Sequence, residues 1–157
     1  MAELTEIYKE RFKKGTEFED FVAKILLQEL GIPLMNYSSE KNQYNAGENK
    51  QGIEIKYQQQ MTNFKSIFIE VSEKRNKNNK NFIPSGIFRE DKTWLWVTGD
   101  YNTLYFFSKK CLISLYKTGK YPIKENKEKT GKGFTLLKKD IEKYSIKKII
   151  VEDLNDE

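Results

Sequence analysis

Between Gly52 and Ser72 the chain twice alternates apolar and polar side chains with a period of two. In the first run Ile53 and Ile55 share one face, and Glu54 and Lys56 share the other. In the second, Ile67, Ile69 and Val71 oppose Phe68, Glu70 and Ser72. A period of two is the pleat of a β-strand and does not suit a helix. The polar segment Gln59 to Asn63 between the runs is short, so an antiparallel hairpin is the expected connection.

The flanking patterns set the fold class. Phe18, Phe21, Val22, Ile25 and Leu26 recur at helical spacing and predict an amphipathic helix over about 16–30. Thr16 with Glu19 three residues on reads as a capping box, and Gly31 and Pro33 read as a stop. A shorter helix is expected over 4–12. Residues 36–50 read as polar loop with a short strand near Gln43-Tyr44. Downstream come a loop over 76–89, an aromatic-rich strand over 93–98, a turn at Gly99-Asp100-Tyr101-Asn102 and a returning strand over 103–107. Ser108 can cap a helix to about Tyr116. A Lys/Gly loop over 118–132, a short strand over 133–137, a helix over 139–144 and a last strand over 148–151 follow. The order predicts one α/β domain over 1–157, with a mixed sheet and helices on its faces.

Composition excludes much of the usual chemistry. There is no histidine and one cysteine, Cys111. A Ser/His/Asp triad, a Cys/His pair and a zinc site built on imidazole or thiolates are ruled out. Acids and bases must be Asp, Glu, Lys or Tyr, and a metal would be a hard ion such as Mg²⁺ or Mn²⁺. Cys111 reads as a small buried apolar residue on a helix. A lone cysteine, an acidic start without a hydrophobic core and no apolar run of about 20 residues together predict a cytoplasmic protein with no membrane partner. The net charge is +5. Positive charge collects at Lys74-Arg75-Asn76-Lys77-Asn78-Asn79-Lys80 and again between Lys109 and Lys132. Such clusters suit a polyanion.

In a hairpin of this register Glu54 and Glu70 would lie close together. Two near carboxylates repel, and a divalent cation removes that penalty. Lys56, on the face of Glu54, could orient water or offset charge on a phosphorane. The ordinary alternative is a solvated cross-strand ion pair, worth about 0.2–1 kcal/mol.

Gly-Ile-Glu-Ile-Lys, then Ile-Phe-Ile-Glu-Val-Ser, then a basic loop with Ser-Gly-Ile and an aromatic strand, resembles phage and bacterial members of the PD-(D/E)XK nuclease superfamily. The resemblance covers roughly 16–107 and implies a restriction-endonuclease-like fold with a mixed central sheet flanked by helices. The family pattern is an acid on a helix, an acid on one strand and an acid-x-Lys on the next. Two registers fit. In the preferred one Glu54 leads, Glu70-Val71-Ser72 is the acid-x-Lys strand, and Ser72 stands where the lysine belongs. In the other, Glu54-Ile55-Lys56 is the acid-x-Lys motif and Glu48 leads. Neither has the usual leading aspartate. The helix acid is Glu19, with Glu17 second. Its ordinary alternative is compensation of the helix dipole.

The resemblance implies a Mg²⁺- or Mn²⁺-dependent deoxyribonuclease of a bacterial or phage-infected cell. Glu54 and Glu70 would hold the metal. Lys74, Arg75, Lys77 and Lys80 would hold the DNA backbone, with the Ser85 and Gly86 amides against a phosphate. Trp94, Trp96, Tyr101, Tyr105, Phe106 and Phe107 read as core rather than as a stacking surface. One small domain has little room for a recognition module, so specificity would come from DNA structure, a homodimer or a larger complex. The alternatives are a non-catalytic DNA-binding module on a nuclease fold and a phage-type inhibitor domain.

Overall fold

The computed structural model describes residues 2–58 and 65–155. Its first element is one helix, α1 (Ala2–Leu30), where the sequence predicts two. Gly15 does not interrupt it, because a mid-helix glycine costs only about 1 kcal/mol against alanine. Thr16 does not cap it. Its hydroxyl donates to the Phe12 carbonyl at 3.0 Å, one turn back inside the helix. Glu19 is therefore no capping residue. It is half-buried, in the stretch that buries Phe18, Val22, Ile25 and Leu26. Gly31, at φ +65°, ends the helix as predicted.

The predicted loop over 36–50 contains a second helix, α2 (Glu40–Ala46). Ser39 Oγ accepts from the Asn42 N–H at 3.2 Å, which caps its start. The chain continues through β1 (Ile53–Tyr57), β2 (Ser66–Glu73), β3 (Ile83–Pro84), β4 (Leu95–Gly99) and β5 (Thr103–Ser108). Then come α3 (Lys109–Lys117), β6 (Ile123–Glu125), β7 (Gly131–Leu137), α4 (Lys138–Tyr144) and β8 (Lys147–Ile150). Ser108 caps α3 as predicted, accepting from Cys111 N–H. Cys111 is half-buried, and burial pushes its thiol up.

The described strands form two sheets of four, ordered β1-β4-β5-β8 and β3-β2-β7-β6. The predicted β1–β2 hairpin does not form. β1 lies parallel to β4, and β2 pairs antiparallel with β7 and β3. The turn expected at Gln59–Asn63 falls outside the described residues. Burial explains the sorting. Ile53, Glu54 and Ile55 are all buried, and so is every residue of β4, so these strands belong in a layer covered on both faces. β2 buries only alternate residues and suits an outer sheet.

Ile53, Ile55, Leu95, Val97 and Phe106 of the first sheet pack on Phe18, Val22, Ile25 and Leu26 of α1. Trp96, Tyr105 and Phe107, from its other face, join Ile67, Ile69, Val71, Phe134 and Leu136 of the second sheet. Leu112 of α3 and Ile141 of α4 complete that core. Each such side chain contributes about 1.5–3 kcal/mol on burial. The architecture is mixed α/β, with α1, the first sheet and the second sheet in layers. Trp96, Tyr105, Phe106 and Phe107 are core as predicted, whereas Trp94 and Tyr101 are exposed.

The Lys/Gly segment also departs from prediction. It holds the β6–β7 hairpin, closed by Asn126, whose Oδ1 accepts from the Thr130 and Gly131 amides. At the link from β3, Gly86 has φ +55°, and a Cβ there would lie 2.1 Å from the Glu70 carbonyl oxygen. Gly86→Ala is expected to cost at least about 1–3 kcal/mol in urea unfolding. A wild-type midpoint would contradict this packing. Among the described residues, no helix is long and apolar enough to cross a membrane.

Candidate functional site

The segment from Gly47 to Lys56 is locked in place by its own side chains. Gly47, at φ +104°, ends α2. Asn49 is 2% exposed and clamps the start of β1, with Nδ2 donating to the Ile53 carbonyl at 2.6 Å and Oδ1 accepting from the Ile53 N–H at 2.9 Å. Gly52, at φ +72°, lets the chain pass against the Lys92 carbonyl and the Trp94 ring, where a Cβ would lie 2.5 Å from that oxygen. The turn brings Glu48 within electrostatic reach of Glu54.

Glu54 is 5% exposed and lies opposite Trp96 on β4. Its Oε1 accepts from Lys56 Nζ at 2.7 Å. The Lys56 side chain is half exposed, but its ammonium turns inward, 5.8 Å from the centre of the Trp96 ring. Thr98, the β4 partner of Lys56, has a buried Oγ1 with no hydrogen-bond partner among the described residues. Glu19 of α1 also acts on Glu48 and Glu54. A cavity of about 120 Å³ is lined by Glu19, Asp20, Asn36, Glu48, Asn49 and Ile55.

Three glutamates, Glu19, Glu48 and Glu54, thus share one ammonium. Burial works against the Lys56 charge, but Glu54, Glu48 and Glu70 outweigh it and hold the ammonium above its usual value. Burial and then Glu54 raise the Glu19 carboxyl. Burial, then Glu54 and Glu19, push Glu48 up to about 8. The unfolded chain would release that proton near 4.5, whereas the folded chain keeps it to about 8. Stability therefore falls as pH rises between those values. In EDTA the thermal midpoint is expected to drop between pH 6 and pH 8, and Glu48→Gln should flatten the slope. An unchanged slope in that variant would contradict the crowding.

The remaining predicted residues divide sharply. Glu54 and Lys56 meet as expected, with Glu19 and Glu48 beside them. Glu70 does not face Glu54 across a hairpin, because their strands lie in different sheets. Its charge still reaches Lys56. Ser72 pairs with Pro84 and Lys132 on β2, away from β1. Glu48 lies within electrostatic reach of Glu54 and Lys56, as the register with Glu48 leading requires, whereas the hairpin that would set Glu54 opposite Glu70 in the preferred register does not form. Ser85 and Gly86 are also reassigned. Ser85 is fully buried, its amide donates to the Val71 carbonyl and its hydroxyl to Glu70 Oε1 at 2.7 Å, so neither is offered to a phosphate. Gly86 is pressed against the Glu70 backbone.

Arg75, Lys77 and Lys80 are exposed and Lys74 is half-buried. Lys74 and Arg75 line a cleft of about 1070 Å³ with Arg11, Glu70, Asn79 and Asn126. Sequence reasoning missed Asn49 and Arg89. Asn49 carries the spacing Asn-x-x-Gly before a strand, a turn signal that was readable. Arg89 acts on Glu48 and lies 3.8 Å from Glu73, and no local pattern marks it.

No family model, curated protein or solved structure matches the chain.

Among the described residues, no three Asp, Glu, His or Cys side chains form a ready-made ion cage. A hard divalent ion does not need one. Mg²⁺ is commonly held by one or two carboxylates with carbonyls and waters. Glu48 and Glu54 provide the carboxylates, and the excess of negative charge around Lys56 is what such an ion would offset. The donor set fits Mg²⁺ or Mn²⁺.

Proposed function

We propose that this chain is a metal-dependent deoxyribonuclease on a restriction-endonuclease-like core. One observation carries the reading. Glu54-Ile55-Lys56 holds a buried carboxylate against an ammonium, with Glu48 and Glu19 crowded around them. A surface ion pair would not need two further carboxylates in a half-buried site, because their repulsion opposes folding. Helix α1 against a mixed sheet, with an acid-x-Lys on its edge strand, adds support.

Each residue has a distinct task. Glu48 and Glu54 would hold Mg²⁺ or Mn²⁺, which supplies Lewis-acid activation of the phosphodiester and acidifies water. Lys56 places a positive charge where the pentavalent phosphorus gathers negative charge. Glu54 fixes that ammonium at 2.7 Å and limits its motion. Glu19, raised by burial and by Glu54, accepts a proton from the attacking water. Lys74 and Arg75, in the wall of the large cleft, bind the backbone without reading sequence.

Supercoiled plasmid and circular single-stranded DNA, each incubated with the chain in Mg²⁺, Mn²⁺ or EDTA, test the reading. Nicking or linearisation with either ion and none in EDTA is expected. Intact substrates under all three conditions would sink it.

A further inference from the structure

Phe82 lies immediately before β3, half-buried, and two ammoniums converge on its ring. Lys74 Nζ is 4.8 Å from the ring centre and Lys132 Nζ is 4.2 Å from it. The two lysines come from different elements, Lys74 from the residue after β2 and Lys132 from β7. Among the described residues neither joins an ion pair, although Glu73 adjoins Lys74 and Glu125 stands opposite Lys132. The cluster borders the cleft of about 1070 Å³, whose wall includes Lys74, Asn81 and Ile83.

Two like charges gathered at one ring repel each other. The π face holds each of them only weakly, and their long stems leave both heads free to move. A nucleotide asks for this chemistry. Its base needs a flat aromatic face, and its two flanking phosphates need cations. When a base takes the ring, the ammoniums can pass from the ring to those phosphates.

We propose that Phe82, Lys74 and Lys132 form a stacking site for one unpaired nucleotide, so that DNA enters the cleft with a single-stranded stretch. The proposal deepens the nuclease reading and rests on it for the identity of the polymer. A fully paired duplex cannot present a base to Phe82, because its bases are stacked on one another. A flap, overhang or gap can.

The test uses the full chain in EDTA, so that binding is read without cleavage. The probes are a short oligothymidylate carrying one 2-aminopurine and a blunt duplex of equal length. The wild type is expected to bind the single strand more tightly and to quench the 2-aminopurine. Phe82→Leu keeps apolar bulk but removes the ring. It should weaken single-strand binding roughly 5- to 150-fold, the range for losing one base–aromatic stack, and abolish the quench while leaving duplex binding unchanged. Phe82→Tyr should retain both signals. Should Phe82→Leu fail to fold, the double variant Lys74→Gln/Lys132→Gln carries the test, with a salt dependence smaller by about 0.7 per lysine lost. Equal single-strand affinity and quench in wild type and Phe82→Leu would overturn the site, and so would no binding by the wild type. Failure of the nuclease reading looks different: no cleavage with Mg²⁺ or Mn²⁺, with the Phe82-dependent quench intact.

Discussion

Glu54→Gln is expected to lower Mg²⁺-dependent DNA cleavage by roughly 10²–10⁴-fold while leaving the protein folded. Glutamine keeps the volume of glutamate and can still accept from Lys56. It loses the negative charge that would hold the cation and fix the ammonium, which lies 2.7 Å from Glu54 Oε1. The same change relieves the crowding of Glu54 on Glu48 and Glu19, which offsets the weakened pairing with Lys56, so the metal-free variant should remain folded. Lost activity in a folded variant separates a role at the site from a role in stability. Glu70→Gln separates the two sequence registers. Glu70 lies in the other sheet and is held by Ser85, so its loss should cost only roughly tenfold. Equal losses for Glu54→Gln and Glu70→Gln would revive the register that pairs them.

Asp91→Ala is expected to be the most destabilising of these changes, at about 3–5 kcal/mol in urea unfolding at neutral pH. Asp91 Oδ1 accepts from Lys109 Nζ at 3.0 Å and from the Thr93 amide at 2.9 Å. The two side chains are only 4% and 11% exposed. Removing the carboxylate leaves a buried ammonium with, among the described residues, the Arg89 carbonyl as its hydrogen-bond partner. Burial raises the Asp91 carboxyl, but the Thr93 amide and Lys109 outweigh it and hold it below the usual range. Its contribution is therefore complete at neutral pH and is lost only as pH falls through that lowered value. Arg11→Ala, at the exposed Arg11–Glu128 pair, should change stability by less than about 1 kcal/mol. Similar costs for both would contradict the buried-pair account. The Asp91–Lys109 pair also anchors the segment whose Lys92 amide donates to the carbonyl of Ala46, two residues before Glu48. Asp91→Ala should for that reason impair cleavage without touching the site.

The helical period of Phe18 to Leu26 and the alternation around Glu54 are local signals, and both survive in the structure. Partner choice among strands is not local. β1 takes β4, far along the chain, because both strands need a layer covered on two faces. Nothing inside Gly52–Gln58 states that need, and a short polar link to the next strand suggests a hairpin instead. The same gap left the distance between Glu54 and Glu70 unread. Glu70 has the right residue type and alternation, yet Glu48 reaches Glu54 through a turn closed by Asn49 and Gly52. Thr16 failed for a related reason, since its hydroxyl serves equally well as a cap or as an acceptor's partner one turn back within a helix. Residue chemistry was readable from the start, whereas assembly depended on contacts distant in sequence.

Glu48 and Glu54, beside Lys56, are proposed to hold a divalent cation. Anomalous diffraction from crystals grown with Mn²⁺ measures this most directly. One peak between the Glu48 and Glu54 carboxylates, absent from crystals of Glu48→Gln, is the expected result. A peak at Glu70 and Glu73 instead, or none with both carboxylates ordered, would contradict it.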